Sequence, residues 1–363
     1  MLRLSLEYVK PGMITSRNIY NANGSLLLGK DHLLDEQFIR RLSNLNIDAV
    51  FVQNPFCDIE PAEEVLHETT RVEAIRFTQK AFENFKKTQN LNLVGIHQSV
   101  QKIIGDIMAN RHVLIHLADI RVRDDYTFGH SINVCLVATI IGLKLRLSEL
   151  QLTELATGAV LHDVGMMLLS PALVNKREAL SSDDWAILKS HADLGFGILR
   201  NQGAVSLVSA HIAFQHHEKW DGSGYPRGIS GENIHRYARI VAVADMYDAM
   251  TSERAYRPAM LPHEAYEVIL ASRGSKLDPE FVDIFLENVA LFPEGTMVLL
   301  DTGEIGVVVH SLPKLQARPI VKIVANALGQ KVDEGREVDL TKELTRFIVK
   351  VYKAEEIAVM ELD

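Results

Sequence analysis

The sequence predicts a multidomain chain: a central all-α helical domain flanked by a small N-terminal α/β module and a small C-terminal β module. Three observations lead there. Apolar residues recur at helical spacing through most of residues 121–291. Short β-branched runs divided by turn signals take over after Pro293. The first 55 residues mix both textures. At roughly 150 residues per domain, 363 residues suggest two or three domains.

In the N-terminal module, residues 1–55, Met13–Tyr20 and Ser25–Leu28 read as strands around the turn Asn21-Ala22-Asn23-Gly24. Leu34, Phe38, Leu42 and Leu45 lie at helical spacing, with Asp31 as the expected cap. Asp48–Gln53 reads as a strand, and Asn54-Pro55 marks a boundary. Residues 56–120 are rich in Glu, Lys and Gln, with periodic Ala74, Phe77, Ala81 and Phe85. Two long connector helices with a solvated charged face are expected, long enough to support a homodimer. In residues 121–291 helices are expected at Ile132–Leu145, Leu150–Leu161, Asp183–Arg200, Ala204–Phe214 and His263–Ala271. In residues 292–363 strands are expected at Thr296–Leu300, Gly306–His310 and Ile320–Val324.

The net charge of −9 offers no general attraction for nucleic-acid polymers or anionic lipid. An anionic substrate would need local positive charge, from metals or a few placed arginines. Cys57 and Cys135 lack metal-type spacing and read as reduced thiols. The longest apolar stretch, Ile132–Leu145, contains Asn133 and Lys144 and falls short of the ~20 residues of a membrane span. Residues 1–13 carry no leader-like pattern. A cytoplasmic location is expected.

Chemistry concentrates in the helical region: His130, the adjacent pair His162-Asp163, His191, the adjacent pair His216-His217, and Asp245. Imidazoles and carboxylates suit Zn, Fe, Mn or Ni. Helix neighbours point about 100° apart, so an adjacent pair can serve two metals, and a carboxylate such as Asp163 can bridge them. Two metals a few ångströms apart suit phosphate-ester hydrolysis. Other histidines, including His112 and His116, read as surface or satisfied core residues.

The order of longer motifs adds specificity. His162-Asp163-Val164-Gly165 resembles the HDxG core of the HD phosphohydrolase superfamily. The run His216-His217-Glu218-Lys219-Trp220-Asp221-Gly222-Ser223-Gly224-Tyr225-Pro226 resembles the HHExWDGxGYP signature of the HD-GYP family. Residues 238–252, ARIVAVADMYDAMTS, resemble that family's ARIVAVADxYDAxTS segment and are followed by Arg254, Tyr256 and Arg257. The resemblance spans about residues 121–290. It implies metal ligands at His130, His162, Asp163, His191, His216, His217 and Asp245, with Asp163 also catalytic. It implies a binuclear centre of iron, or alternatively manganese, and hydrolysis of cyclic di-GMP to pGpG and GMP through a metal-bridging hydroxide. It also implies dinucleotide contacts at Arg254, Tyr256 and Arg257. The Gly224-Tyr225-Pro226 loop is implied to lie near the site and to meet diguanylate cyclase (GGDEF) domains.

Two positions depart from the family. Met166 stands where HDxGK has lysine, and a thioether cannot supply a charge-assisted phosphate contact. Losing that contact would cost on the order of 10²–10³ in rate, unless nearby Lys176 or Arg177 substitutes. Tyr126 stands where some members carry a glutamate for a third metal, so two metals are expected. Two other functions remain open: a catalytically weakened cyclic di-GMP receptor, and an HD phosphohydrolase for another nucleotide.

Overall fold

A computed structural model describes residues 2–20, 26–45, 47, 49–54, 56, 65–110, 115, 126–174, 176, 178–252, 259–332 and 335–360. The chain opens with β1 (Leu2–Ser5), β2 (Ile19–Tyr20), β3 (Leu26–Leu28), α1 (Glu36–Asn44) and β4 (Ala49–Val52). β1 pairs antiparallel with β4, Leu2 opposite Val52 and Ser5 opposite Ala49. β1 was not expected, because four residues are too few to display alternation. Within the expected strand Met13–Tyr20 only Ile19 and Tyr20 form a ladder, against β3; Ile14 and Thr15 make single bridges. Helix α1 is capped by Asp35, which accepts from Phe38 N at 2.8 Å. Asp31, the expected cap, lies too early and sits in a left-handed turn at φ 61°.

The helical series follows: α2 (Glu68–Thr88), α3 (Val94–Ala109), α4 (Tyr126–Lys144), α5 (Glu149–Val160), α6 (Pro171–Val174) and α7 (Ser182–Lys189). It continues with α8 (His191–Arg200), α9 (Leu207–Gln215), α10 (Arg236–Thr251), α11 (Pro262–Ala271) and α12 (Pro279–Leu286). Residues 131–142 of α4 are buried on every face, as befits the central helix of a bundle. The single helix expected over Asp183–Arg200 is two. At the joint, Ser190 N and Ser190 Oγ both donate to Ile187 O, at 3.1 and 2.6 Å. That carbonyl is the one a continuous helix would offer to residue 191.

The last series is β5 (Met297–Leu300), β6 (Ile305–His310), β7 (Ile320–Ala325), β8 (Glu337–Asp339), β9 (Ile348–Val351) and α13 (Ala354–Ala358). The strands form one antiparallel sheet in the order β8-β7-β6-β5-β9. β8 and β9 are short, and their Glu337, Asp339 and Lys350 break up the apolar pattern a strand would show.

Two compact units result: residues 1–64, 118–126 and 287–363, and residues 65–117 and 127–286. In the first, the N- and C-terminal modules share one core, in which Leu4, Leu34 and Val50 join Met297, Val307, Ala325 and Ile357. In the second, α2 and α3 pack with the central helices. Leu91 N donates to Gln202 Oε1 at 3.3 Å, and Gln101 Nε2 to Thr153 Oγ1 at 3.0 Å. Among the described residues no helix is long and apolar enough to cross a membrane.

Candidate metal centre

The seven residues singled out above come from five places in the helical unit, and each placement has a local cause. His162 follows α5, and its Nδ1 meets Ala159 O at 2.8 Å. His216 caps α9, with Nδ1 at 3.0 Å from Ala213 O and 3.2 Å from Ile212 O. His191 Nδ1 meets Leu188 O at 2.7 Å. In each case the ring meets a carbonyl in the last turn of a helix, where intrahelical pairing runs out. An acceptor at Nδ1 fixes the proton there and leaves the Nε2 lone pair for the site. His130 gains the same polarity from a carboxylate, its Nδ1 lying 2.6 Å from Asp248 Oδ2. Asp245 and Asp248 are three apart on α10 and so share a face.

The histidines fall into two groups, with two carboxylates between them. Asp163, His191, His216 and His217 have ligand atoms within 4.8 Å of one another, as do His130, His162 and Asp245. Asp163 Oδ1 lies 3.4 Å from His191 Nε2 and 3.6 Å from His216 Nε2. Its Oδ2 lies 3.4 Å from His162 Nε2 and 3.9 Å from His130 Nε2. Asp245 divides likewise: Oδ1 is 3.2 Å from His130 Nε2, and Oδ2 is 3.8 Å from His217 Nδ1. Both carboxylate side chains are 16% exposed, whereas His130 and His162 are 4% and 0% exposed. His217 is 28% exposed, so the open side of the cluster runs along His217 and the two carboxylates.

The donor set fits metal cations. His162 Nε2 and Asp163 Oδ1 are buried without a hydrogen-bond partner. His191 Nε2 and His216 Nε2 face each other at 3.3 Å although both rings already engage carbonyls through Nδ1. Two lone pairs so close repel unless a cation lies between them. Burial and the neighbouring His216 hold His217 well below the usual histidine range, in the neutral form that coordinates. Burial likewise lowers His191. Burial opposes charge on Asp163 and Asp245, yet the surrounding histidines prevail and hold both carboxyls below their ordinary range. Burial also opposes a charged His130, but hydrogen bonds to Asp245 and Asp248 push its pKa up to about 10.

Loop 221–231 closes one side of the cluster. The Tyr225 ring lies 4.7 Å from that of His217 and 6.3 Å from that of His191. Burial and the charges of Asp163 and Asp245 raise its phenol pKa, so it stays protonated. A β carbon on Gly224 would fall 2.4 Å from Lys219 N and 2.5 Å from His217 O, so only glycine lets the loop fold back onto the His216-His217 segment. Buried Glu218 ties the loop from below, accepting from Arg227 N at 2.8 Å and Ile229 N at 3.2 Å.

Met166 is half-buried in the 3₁₀ turn Val164–Leu168, directly after Asp163. Lys176, an expected substitute cation, is instead bound to Asp184 Oδ2 at 2.6 Å. Exposed Lys189 was not expected; its Nζ lies 5.4 Å from the centroid of the Tyr225 ring. The sequence reading also missed Asn133, Asp248 and Glu218. The spacings His130/Asn133 and Asp245/Asp248, each three apart on one helix, could have flagged the first two. Arg177, Arg254, Tyr256, Arg257, Asp124, Asp125, His112 and His116 lie outside the described residues, as does the Tyr126 side chain.

A helical bundle whose helix ends converge histidines on two carboxylates defines an HD-domain protein. The HD domain family model matches residues 112–281, and that of a KOW domain associated with HD domains matches 297–360. With its intact HD and GYP segments, the matched region is an HD domain of the HD-GYP type. It is 28% identical over 286 residues to a cyclic di-GMP phosphodiesterase of Pseudomonas aeruginosa, covering 77% of this chain and 69% of that one. It is 37% identical over 166 residues to a cyclic di-GMP phosphodiesterase of Thermotoga maritima, covering 46% and 45%. A 3'3'-cGAMP-specific phosphodiesterase of Vibrio cholerae is 31% identical over 219 residues, covering 59% and 42%. The chain thus spans less than half of the latter two relatives. The fold is shared with an HDG"Y"P protein from Bdellovibrio bacteriovorus, at a TM-score of 0.52 and 18% identity over 78% of this chain and 98% of that one.

Proposed function

We propose that this chain is a metal-dependent phosphodiesterase that cuts cyclic di-GMP to linear pGpG and, by a second cut, to GMP. One observation carries the reading: Asp163 and Asp245 each turn one oxygen toward each group of histidines. In this reading His130, His162 and Asp245 hold one cation, His191, His216 and His217 hold a second, and Asp163 joins the two. The mixed imidazole and carboxylate set suits iron, with manganese as the alternative. Such a pair activates water as a Lewis acid and neutralises phosphate oxygens.

The remaining work falls to this chain's own side chains. Asp248 keeps the Nδ1 proton on His130 and so keeps Nε2 turned inward. Tyr225, held as a phenol, closes the site beside His217. Arg254, Tyr256 and Arg257 are assigned the far side of the dinucleotide, where guanidinium groups suit phosphate or a guanine edge. Lys189 is assigned the phosphate contact that Met166 cannot make, since Lys176 is committed to Asp184. The Gly224-Tyr225-Pro226 loop is the assigned contact for diguanylate cyclase (GGDEF) domains.

Two specific observations favour other readings. Met166 favours a receptor that binds cyclic di-GMP and cleaves it poorly. The Vibrio cholerae relative favours a mixed guanine–adenine cyclic dinucleotide. Turnover of cyclic di-GMP and 3'3'-cGAMP by the iron- or manganese-loaded chain decides among them. Conversion of cyclic di-GMP to pGpG supports the proposed activity. Tight binding without cleavage replaces it with the receptor, and preferential cleavage of cGAMP changes the substrate.

A further inference from the structure

Helix α2 lies before the histidine constellation in sequence and carries Arg71, only 8% exposed. A buried guanidinium is costly unless its charge is answered. Arg71 Nη1 donates to Asn133 Oδ1 at 2.7 Å. Asn133 Nδ2 donates to Asp248 Oδ1 at 2.8 Å, and Asp248 Oδ2 takes His130 Nδ1 at 2.6 Å. Asn133, Asp248 and His130 are 1%, 0% and 3% exposed, so no link of this chain is shared with bulk water.

The direction of donation is fixed at every link. A guanidinium only donates, so Asn133 must turn its oxygen to Arg71 and its NH₂ to Asp248. Asp248 then accepts on both oxygens, which requires a proton on His130 Nδ1 and leaves Nε2 as the ring atom that a cation can take. Arg71 and Asp248 select the same orientation of the Asn133 amide from its two ends; without Arg71 the amide is held from one end only and its buried oxygen loses its donor. Turned over, its oxygen would confront the Asp248 carboxylate, two acceptors in contact, and the grip on His130 would loosen.

We infer that Arg71 is a positioning residue for the candidate cation site, acting through Asn133 and Asp248 on His130. The inference rests on the cation-binding reading of that site. It makes α2 part of the apparatus that aims a ligand, although α2 contributes no ligand itself.

The test is titration of the full chain with Mn²⁺ alone, together with the visible absorption spectrum of the Co²⁺-loaded protein. Cation uptake by the native chain is the first readout; its absence overturns the cation reading and this inference with it. With uptake established, Arg71→Met should weaken the affinity of one cation about 10- to 100-fold and alter the Co²⁺ bands. Arg71→Lys, which restores charge and a donor, should recover most of both. Arg71→Met added to Asp248→Asn should cost little more than Asp248→Asn alone. Native Mn²⁺ affinity and native Co²⁺ bands in a folded Arg71→Met overturn the inference while leaving the cation site standing. Should Arg71→Met fail to fold, Asn133→Ser breaks the chain at its middle and leaves Arg71 in place. Undiminished affinity in Asn133→Ser is then the overturning result.

Discussion

A β carbon on Gly165 would lie 2.0 Å from the backbone oxygen of His191 and 2.6 Å from Gly195 N. The turn after Asp163 and the start of α8 therefore touch backbone to backbone, and this contact sets Asp163 Oδ1 3.4 Å from His191 Nε2. Neither contacting atom is the end of a flexible side chain. Gly165→Ala should push the two segments apart, cost about 1–3 kcal/mol or more, and uncouple the two histidine groups. Urea unfolding together with metal content per chain checks this; a variant with native stability and full metal content would sink it.

Asp163→Asn should be far more damaging than Asp248→Asn. The amide replaces one of the two oxygens that divide between the histidine groups with a donor aimed at an imidazole lone pair. We expect loss of both metals and of all measurable turnover. Asp248→Asn removes a group that holds a ligand and is no ligand itself, so about 10- to 100-fold weaker metal binding is expected. Metal analysis and turnover on the two variants side by side make the comparison, and equal effects would contradict the bridging assignment.

Lys189→Ala should lower kcat roughly 10- to 100-fold with metal content unchanged, if its ammonium serves a phosphate oxygen as one charge-assisted contact. Met166→Lys should raise kcat and should partly rescue Lys189→Ala, since both cations would address the same charge. Unchanged kinetics in Lys189→Ala would remove that lysine from the site.

Glu218→Gln should separate substrate handling from metal binding. The carboxylate accepts two loop amides, from Arg227 and Ile229. An amide side chain must turn an NH₂ toward one of them, leaving a buried donor unmet at a cost of about 1–3 kcal/mol. A raised KM with native metal content is expected. Loss of metal instead would show that the loop also supports His216 and His217.

Chelation should destabilise the helical unit alone. Cations that bind only the folded site stabilise it by about 2.7 kcal/mol at a hundredfold excess over Kd. Calorimetry with and without chelator should move the unfolding of residues 65–117 and 127–286 and leave that of the other unit in place. Equal shifts in both would refute a site confined to the helical unit.

The seven clustered residues were legible because their motifs are long and local: His162-Asp163 and His216-His217 announce themselves as adjacent pairs. Arg71 was not legible. On a charged amphipathic helix an arginine ordinarily runs its stem along the core and keeps its head in water, and nothing local distinguishes the one that turns inward. The break at Ser190 was equally hidden, since apolar periodicity persists across it. The shared core of the two terminal modules depends on pairing across the whole helical unit, which a pattern read in short windows cannot register.

That shared core has a consequence for synthesis. Leu4, Leu34 and Val50 leave the ribosome before the helical unit, while their partners Met297, Val307 and Ile357 are made after it. The helical unit can close as soon as it has emerged, since all its strands of contact lie within residues 65–286. The opening residues must wait through that whole interval with their apolar side chains uncovered, exposed to chaperones and to neighbouring chains on the same message. Completion of the N-terminal module thus waits until the C-terminal sheet has emerged.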